Sequence, residues 1–144
     1  LTWGVVGEST PRDAPGPLLG RTGVVLAGLS GLSASAWRDV RRANLFDRPQ
    51  DGWPRAQARV RAAALRVTCP TVLLGRRVAE AFGVPDLPLG AWRGNVTVIP
   101  HPSGRNRWYN NPLHRDAVRR VLAPLAAGSP VCVGCGAPTM QPPG

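Results

Sequence analysis

The sequence predicts an α/β fold, a single three-layer α/β/α domain on a short, mostly parallel four-stranded sheet. Three observations predict it. Four apolar runs of strand length, at Trp3–Gly7, Arg42–Phe46, Thr71–Leu74 and Asn95–Ile99, alternate with stretches of helical apolar spacing, the pattern of a parallel sheet with crossover helices. The chain has 144 residues, enough for one domain and few for two. Its hydrophobic fraction of 43% supplies a core and excludes disorder throughout.

The elements follow in order. Trp3-Gly-Val-Val-Gly7 is a buried strand feeding a loop, and Pro11, Pro15 and Pro17 keep regular structure out of that loop. Thr22–Leu32 brings Val25, Leu26, Leu29 and Leu32 to one helical face, though its glycines make the helix dependent on packing. Ser35 is expected to cap a short helical turn through Val40. Asp47–Gly52 ends the second strand. Trp53-Pro54 opens the strongest helix, expected over Pro54–Arg66 with proline in its first turn. Val60, Ala63, Ala64 and Val67 form its apolar face, and Arg55, Arg59 and Arg66 share another. The third strand passes through Gly75 into a short helix, Arg76–Phe82. The fourth runs into Pro100-His-Pro-Ser-Gly-Arg-Asn106, and a last helix, Pro112–Leu125, turns Val118, Val121, Leu122 and Leu125 inward. The domain is expected over residues 1–127, followed by an uncharged Gly/Pro-rich tail, 128–144.

Charge narrows the choice of partner. All 18 basic residues are arginine, against 8 acids, for a net charge of +10. Residues 1–36 are balanced, Arg12 and Arg21 against Glu8 and Asp13, so the whole excess lies between 37 and 120. GC-rich coding accounts for arginine in place of lysine but not for this clustering. The absence of any ~20-residue apolar run excludes a membrane span. Leu1–Gly7 lacks the basic and long apolar regions of a signal peptide. Three cysteines do not make a disulfide framework, so an intracellular, reducing, cytoplasmic setting is expected.

Two loops collect chemistry where open sheets place their ligands, at the strand carboxyl ends. Glu8 follows the first strand and His101 the fourth, an acid and an imidazole that could serve one reaction. The plainer reading is a solvated glutamate and a turn-capping histidine. Gly104-Arg-Asn-Arg-Trp-Tyr-Asn-Asn111 interleaves arginine with aromatics, which suits phosphate and base contacts, or else is a surface loop with its Trp anchored on the core. Cys132-Val-Gly-Cys135 is half of a zinc knuckle without an evident second half, so no metal is expected, Cys132 and Cys135 being the weak candidates.

Taken in order, these pieces resemble the uracil-DNA glycosylase superfamily, nearest in layout to its families 4 and 5. Gly7-Glu-Ser-Thr-Pro11 resembles the first motif, GEAPG, and Gly16-Pro-Leu-Leu-Gly-Arg-Thr-Gly23 resembles the GxPFxGxAG segment. Ala43-Asn44 is similar to the TN position, Thr71–Phe82 to the strand–Gly–helix segment, and His101-Pro-Ser103 to the second catalytic motif. The extension to Asn106 resembles the HPSPRN form of single-strand-selective uracil glycosylases.

The resemblance implies a monomeric, cofactor-free enzyme that flips a nucleotide from DNA and hydrolyses its glycosidic bond. It implies that Asn44 reads the pyrimidine edge, that His101 donates toward the departing base, and that Glu8 stabilises the sugar cation or positions water. Gly7, Ser9 and Leu18 would line the base site, Ser103 would hold a phosphate, and Arg105, Asn106, Arg107, Trp108 and Tyr109 would probe the DNA. Departures from the family are Thr10 and Pro11 in the first motif, Leu18 in place of the stacking Phe, and the missing cluster cysteines. Two other functions stand beside this one: a non-catalytic DNA- or base-binding protein on the same fold, and an enzyme acting on free nucleotides.

Overall fold

Four strands, β1 (Gly4–Ser9), β2 (Arg41–Phe46), β3 (Thr71–Leu74) and β4 (Val96–Ile99), form one sheet in the order β2-β1-β3-β4, and every pairing is parallel. The structure is a computed structural model and describes residues 2–11, 14–103 and 106–128. Parallel neighbours need crossovers, and helices supply them. The first crossover holds α1 (Arg21–Ser30) and α2 (Ala34–Trp37), the second α3 (Arg55–Ala64), and the third α4 (Gly75–Ala81). A 3₁₀ turn (Arg107–Asn110) and α5 (Pro112–Ala126) follow β4.

Side chains of a strand alternate between faces, so the central strands feed two cores. Val5, Val72, Leu74 and Ile99 pack with Leu26, Trp37, Val118 and Leu122 on the side of α1, α2 and α5. Val6 and Leu73 pack with Ala58, Ala62, Val78 and Ala79 on the side of α3 and α4. Helix layers therefore cover both faces, and the expected three-layer α/β/α architecture is present. Among the described residues no helix is long and apolar enough to cross a membrane.

Local chemistry sets the element ends. Asn111 caps α5 by accepting from Leu113 N at 2.9 Å, with Pro112 in the first turn. The cap of α2 is Ser33, not Ser35: its hydroxyl accepts from Ala36 N at 3.1 Å, starting the helix two residues earlier. The face of α3 also differs from expectation. Ala58 and Ala62 are buried and Val60 is 69% exposed, because alanines permit close approach to α4 and β2. Arg66 lies beyond the helix, at φ +45°, and does not share a face with Arg55 and Arg59.

Several arginines are clips within the fold. Arg42 donates to three carbonyls, those of Val40, Pro17 and Arg38, at 3.2–3.3 Å. Arg61 donates to Leu45 O at 3.2 Å while lying 5.0 Å from the Phe46 ring centre, and Arg115 donates to Tyr109 O at 2.7 Å.

One clamp fixes the loop between β1 and α1. Leu18 is buried with φ +57°, a backbone conformation that bulky residues seldom hold. Trp37 Nε1 donates to its carbonyl at 2.8 Å, and a Cβ on Gly23 would stand 1.8 Å from that oxygen. Alanine at Gly23 would normally favour a helix, yet here it collides with backbone. Gly23→Ala is therefore expected to destabilise the protein by about 1–3 kcal/mol in a denaturant melt. An unchanged or raised midpoint would contradict the clamp.

Candidate active site

Strand order places the site. The chain leaves β1 toward β2 on one side and β3 toward β4 on the other, so the loops diverge between β1 and β3. Such a switch point opens a crevice at the carboxyl ends of the strands. Glu8 is near the end of β1, Asn44 lies on β2, and His101 follows β4 by two residues.

Glycines let these groups converge. Gly7 pairs with Asn44 across the sheet, and a Cβ on Gly7 would lie 2.4 Å from Asn44 Oδ1 and 3.2 Å from Leu18 Cδ2. Gly75, at φ +86°, turns the chain out of β3, and a Cβ there would lie 3.2 Å from His101 Cβ. Without a side chain it lets the histidine loop cross the end of β3.

The Asn44 amide is half satisfied. Its Nδ2 donates to Thr10 Oγ1 at 2.9 Å, while among the described residues its buried Oδ1 has no hydrogen-bond partner. Leaving a buried acceptor unmade costs about 1–3 kcal/mol, so such an atom in a native fold calls for an explanation. Thr10 is thus the side chain that orients Asn44.

His101 sits on a buttressed loop. Asn106 Nδ2 donates to His101 O at 2.8 Å, and Asn106 Oδ1 accepts from Trp108 N at 3.1 Å. The Tyr109 hydroxyl donates to Pro100 O, and burial pushes that phenol up from its usual value, keeping it protonated. Burial lowers the His101 pKa, and the nearby Glu8 charge raises it in part. Burial thus favours the neutral imidazole, which has one N–H to donate.

Glu8 and His101 form a wall shared by two cavities. A cavity of about 240 Å³ is lined by Glu8, Ser9, Leu18, Asn44 and His101, together with Arg21 and Thr22 of α1. The other, about 450 Å³, has Arg76, Arg77 and Asn106 with an aliphatic floor at Leu87 and Leu89. Arg77 reaches Glu8, Nη1 to Oε1, at 3.7 Å.

The structure thus brings Glu8, Ser9, Leu18, Asn44 and His101 together, with Gly7 beneath Asn44. Ser103 is half-buried and lines neither cavity; its carbonyl accepts from Asn106 N at 3.0 Å. The stretch expected to probe DNA divides. Arg107 is exposed, and Arg105 lies outside the described residues, as do Cys132 and Cys135. Asn106 and Tyr109 spend their polar groups on the His101 loop, and the 3₁₀ turn points Tyr109 into the core. Trp108 is half-buried, its ring stacked 4.3 Å from that of His114. In the structure these three support the loop and its packing, and Asn106 also lines the larger cavity. Thr10, Gly75 and Arg77 are the site residues that motif reading passes over. Gly75 stands directly after the buried strand β3, and Arg77 follows it in the first turn of α4.

Among the described residues no group of three or more His, Cys, Asp or Glu side chains could hold a metal. No family model matches the chain, and no curated protein or solved structure matches it.

An NMR titration should find His101 below the ordinary imidazole value of about 6.5, and Glu8→Gln should lower it further by removing the charge that favours imidazolium. A higher value in Glu8→Gln would contradict the proximity of the two. Because the folded value is depressed, His101 favours folding fully above ~6.5, and that contribution is lost as pH falls through the folded pKa.

Proposed function

We propose that this chain is a monofunctional DNA glycosylase that hydrolyses the N-glycosidic bond of uracil or a related pyrimidine after flipping the nucleotide. One observation carries the reading. The carboxyl group of Glu8, the carboxamide of Asn44 and the imidazole of His101, from β1, β2 and the loop after β4, line one small cavity at the switch point of the sheet.

Each group suits a part of that chemistry. The cavity, about 240 Å³, falls below the ~300–1,000 Å³ of drug-sized sites and suits a single ring. Asn44 Oδ1 is an acceptor for a pyrimidine N3–H. The Thr10 hydroxyl both donates and accepts, so the amide can also turn over and offer its donor. His101 donates its N–H toward the base oxygen on which negative charge grows as the bond stretches. Glu8 remains on the sugar side, stabilising oxocarbenium character or orienting water. The arginine excess supplies attraction to the phosphate backbone, and a monomer suffices for one flipped base. Lysine, a common Schiff-base amine, does not occur in the 144 residues, in keeping with hydrolysis rather than lyase chemistry.

A second reading, a non-catalytic base-binding protein, draws on Leu18, whose aliphatic side chain borders Asn44 where an aromatic ring would stack. Labelled single- and double-stranded DNA carrying one uracil, followed by alkaline cleavage of abasic sites, separates the two. Strand cleavage is expected, reduced by more than ~10²-fold in His101→Ala, with altered base preference in Asn44→Asp. DNA binding without cleavage of uracil, hydroxymethyluracil or xanthine substrates would sink the glycosylase reading in favour of the second. A salt-independent affinity for DNA would count against both, since phosphate contacts release counterions.

A further inference from the structure

Arg77 makes two contacts that the proposed reaction does not use. Its Nη1 lies 3.7 Å from Glu8 Oε1, and its guanidinium carbon lies 5.6 Å from the centre of the Trp53 ring. Trp53 is itself fixed, edge-on to the buried Phe46 ring at 5.4 Å and 84°. A shelf therefore runs from the core through Phe46 and Trp53 to Arg77, and ends on the one acid that lines both cavities. A long side chain that is 57% exposed would ordinarily lose its ion pair to rotamer freedom and solvent. Stacking on an indole face restricts that freedom and favours the cation.

The charged groups around Glu8 come from three elements. Arg76 and Arg77 of α4 line the larger cavity, Arg21 of α1 lines the smaller, and His101 after β4 lines both. Of the arginines, only Arg77 pairs with the carboxylate among the described residues. We infer that Arg77 is a positioning residue: braced on Trp53, it holds the Glu8 carboxylate in the wall between the cavities and offsets the negative charge that His101 meets. This inference rests on Glu8 and His101 being the reacting pair. It makes the strength of that pair adjustable from outside the smaller cavity, through a side chain that lines only the larger one.

The coupling can be read without turnover. The His101 imidazole is titrated by NMR in wild type, Arg77→Ala, Arg77→Lys, Glu8→Gln and the double variant Glu8→Gln/Arg77→Ala. Removing Arg77 leaves Glu8 unopposed, so the His101 pKa is expected to rise in Arg77→Ala, return toward wild type in Arg77→Lys, and stay put when Arg77 is removed from Glu8→Gln. With uracil-containing DNA, Arg77→Ala should lower kcat by ~10-fold with KM little changed, the signature of an interaction realised in the transition state. An unmoved His101 titration in Arg77→Ala, or an equal shift in the Glu8→Gln background, overturns the inference. Absence of any cleavage by wild type overturns the glycosylase reading, and the titration still decides whether Arg77 acts through Glu8.

Discussion

The candidate site depends on how closely β1 and β3 let their neighbours approach. Gly7 faces Asn44 across the parallel ladder, and any side chain there would occupy the space of the amide oxygen. Gly75 leaves β3 at positive φ and admits the Cβ of His101. Both are steric permissions granted by the missing Cβ, and both act at the same edge of the sheet. Remove either and a functional group loses its place, even though neither glycine carries any chemistry. The strained Leu18 is the third member of this arrangement. Its carbonyl is held by Trp37 over the gap left by Gly23, which sets its side chain beside Asn44.

Around that edge the arginines divide by task. Arg42, Arg61 and Arg115 bond backbone carbonyls and hold loops and edge strand in place. Arg55 pairs with Glu80, Arg119 with Asp116, and Arg77 with Glu8. The net charge of +10 still sets the sign of the long-range field. The arginine surface left free of internal contacts is smaller than the count of arginines suggests, since planar guanidinium groups serve equally as multi-donor clips.

Much of this was legible in the sequence, for identifiable reasons. The short runs of Val, Leu and Ile at β1, β3 and β4 are flanked by Gly or Pro, which separates them from buried helix, and α5 follows its apolar spacing, with Val118, Leu122 and Leu125 buried as expected. The α3 face was not legible, because its contacts are made by alanines, which hydropathy ranks below the exposed Val60. Ser33 and Ser35 are equivalent as letters, and only the chain path selects Ser33 as the cap. Glu8, Asn44 and His101 could be named from motifs, but the Thr10 bond to Asn44 and the Arg77 contact to Glu8 join residues 34 and 69 positions apart. Such pairings are products of sheet register and crossover, which single-chain patterns do not encode. Trp108 and Tyr109 show the opposite limit: an aromatic beside arginine reads as a nucleic-acid surface, and its packing beneath the His101 loop is visible only in the structure.

The most direct measurement is an NMR titration of the protein with single-stranded DNA carrying one pseudouridine, whose carbon–carbon glycosidic bond resists hydrolysis while its ring mimics uracil. If an extruded pyrimidine occupies the cavity, the Asn44 side-chain amide and the His101 imidazole resonances should shift together and saturate at one equivalent, and DNA lacking the modified base should leave them in place. Shifts confined to exposed arginines, with Asn44 and His101 unmoved at saturation, would contradict a base-binding site at this edge of the sheet.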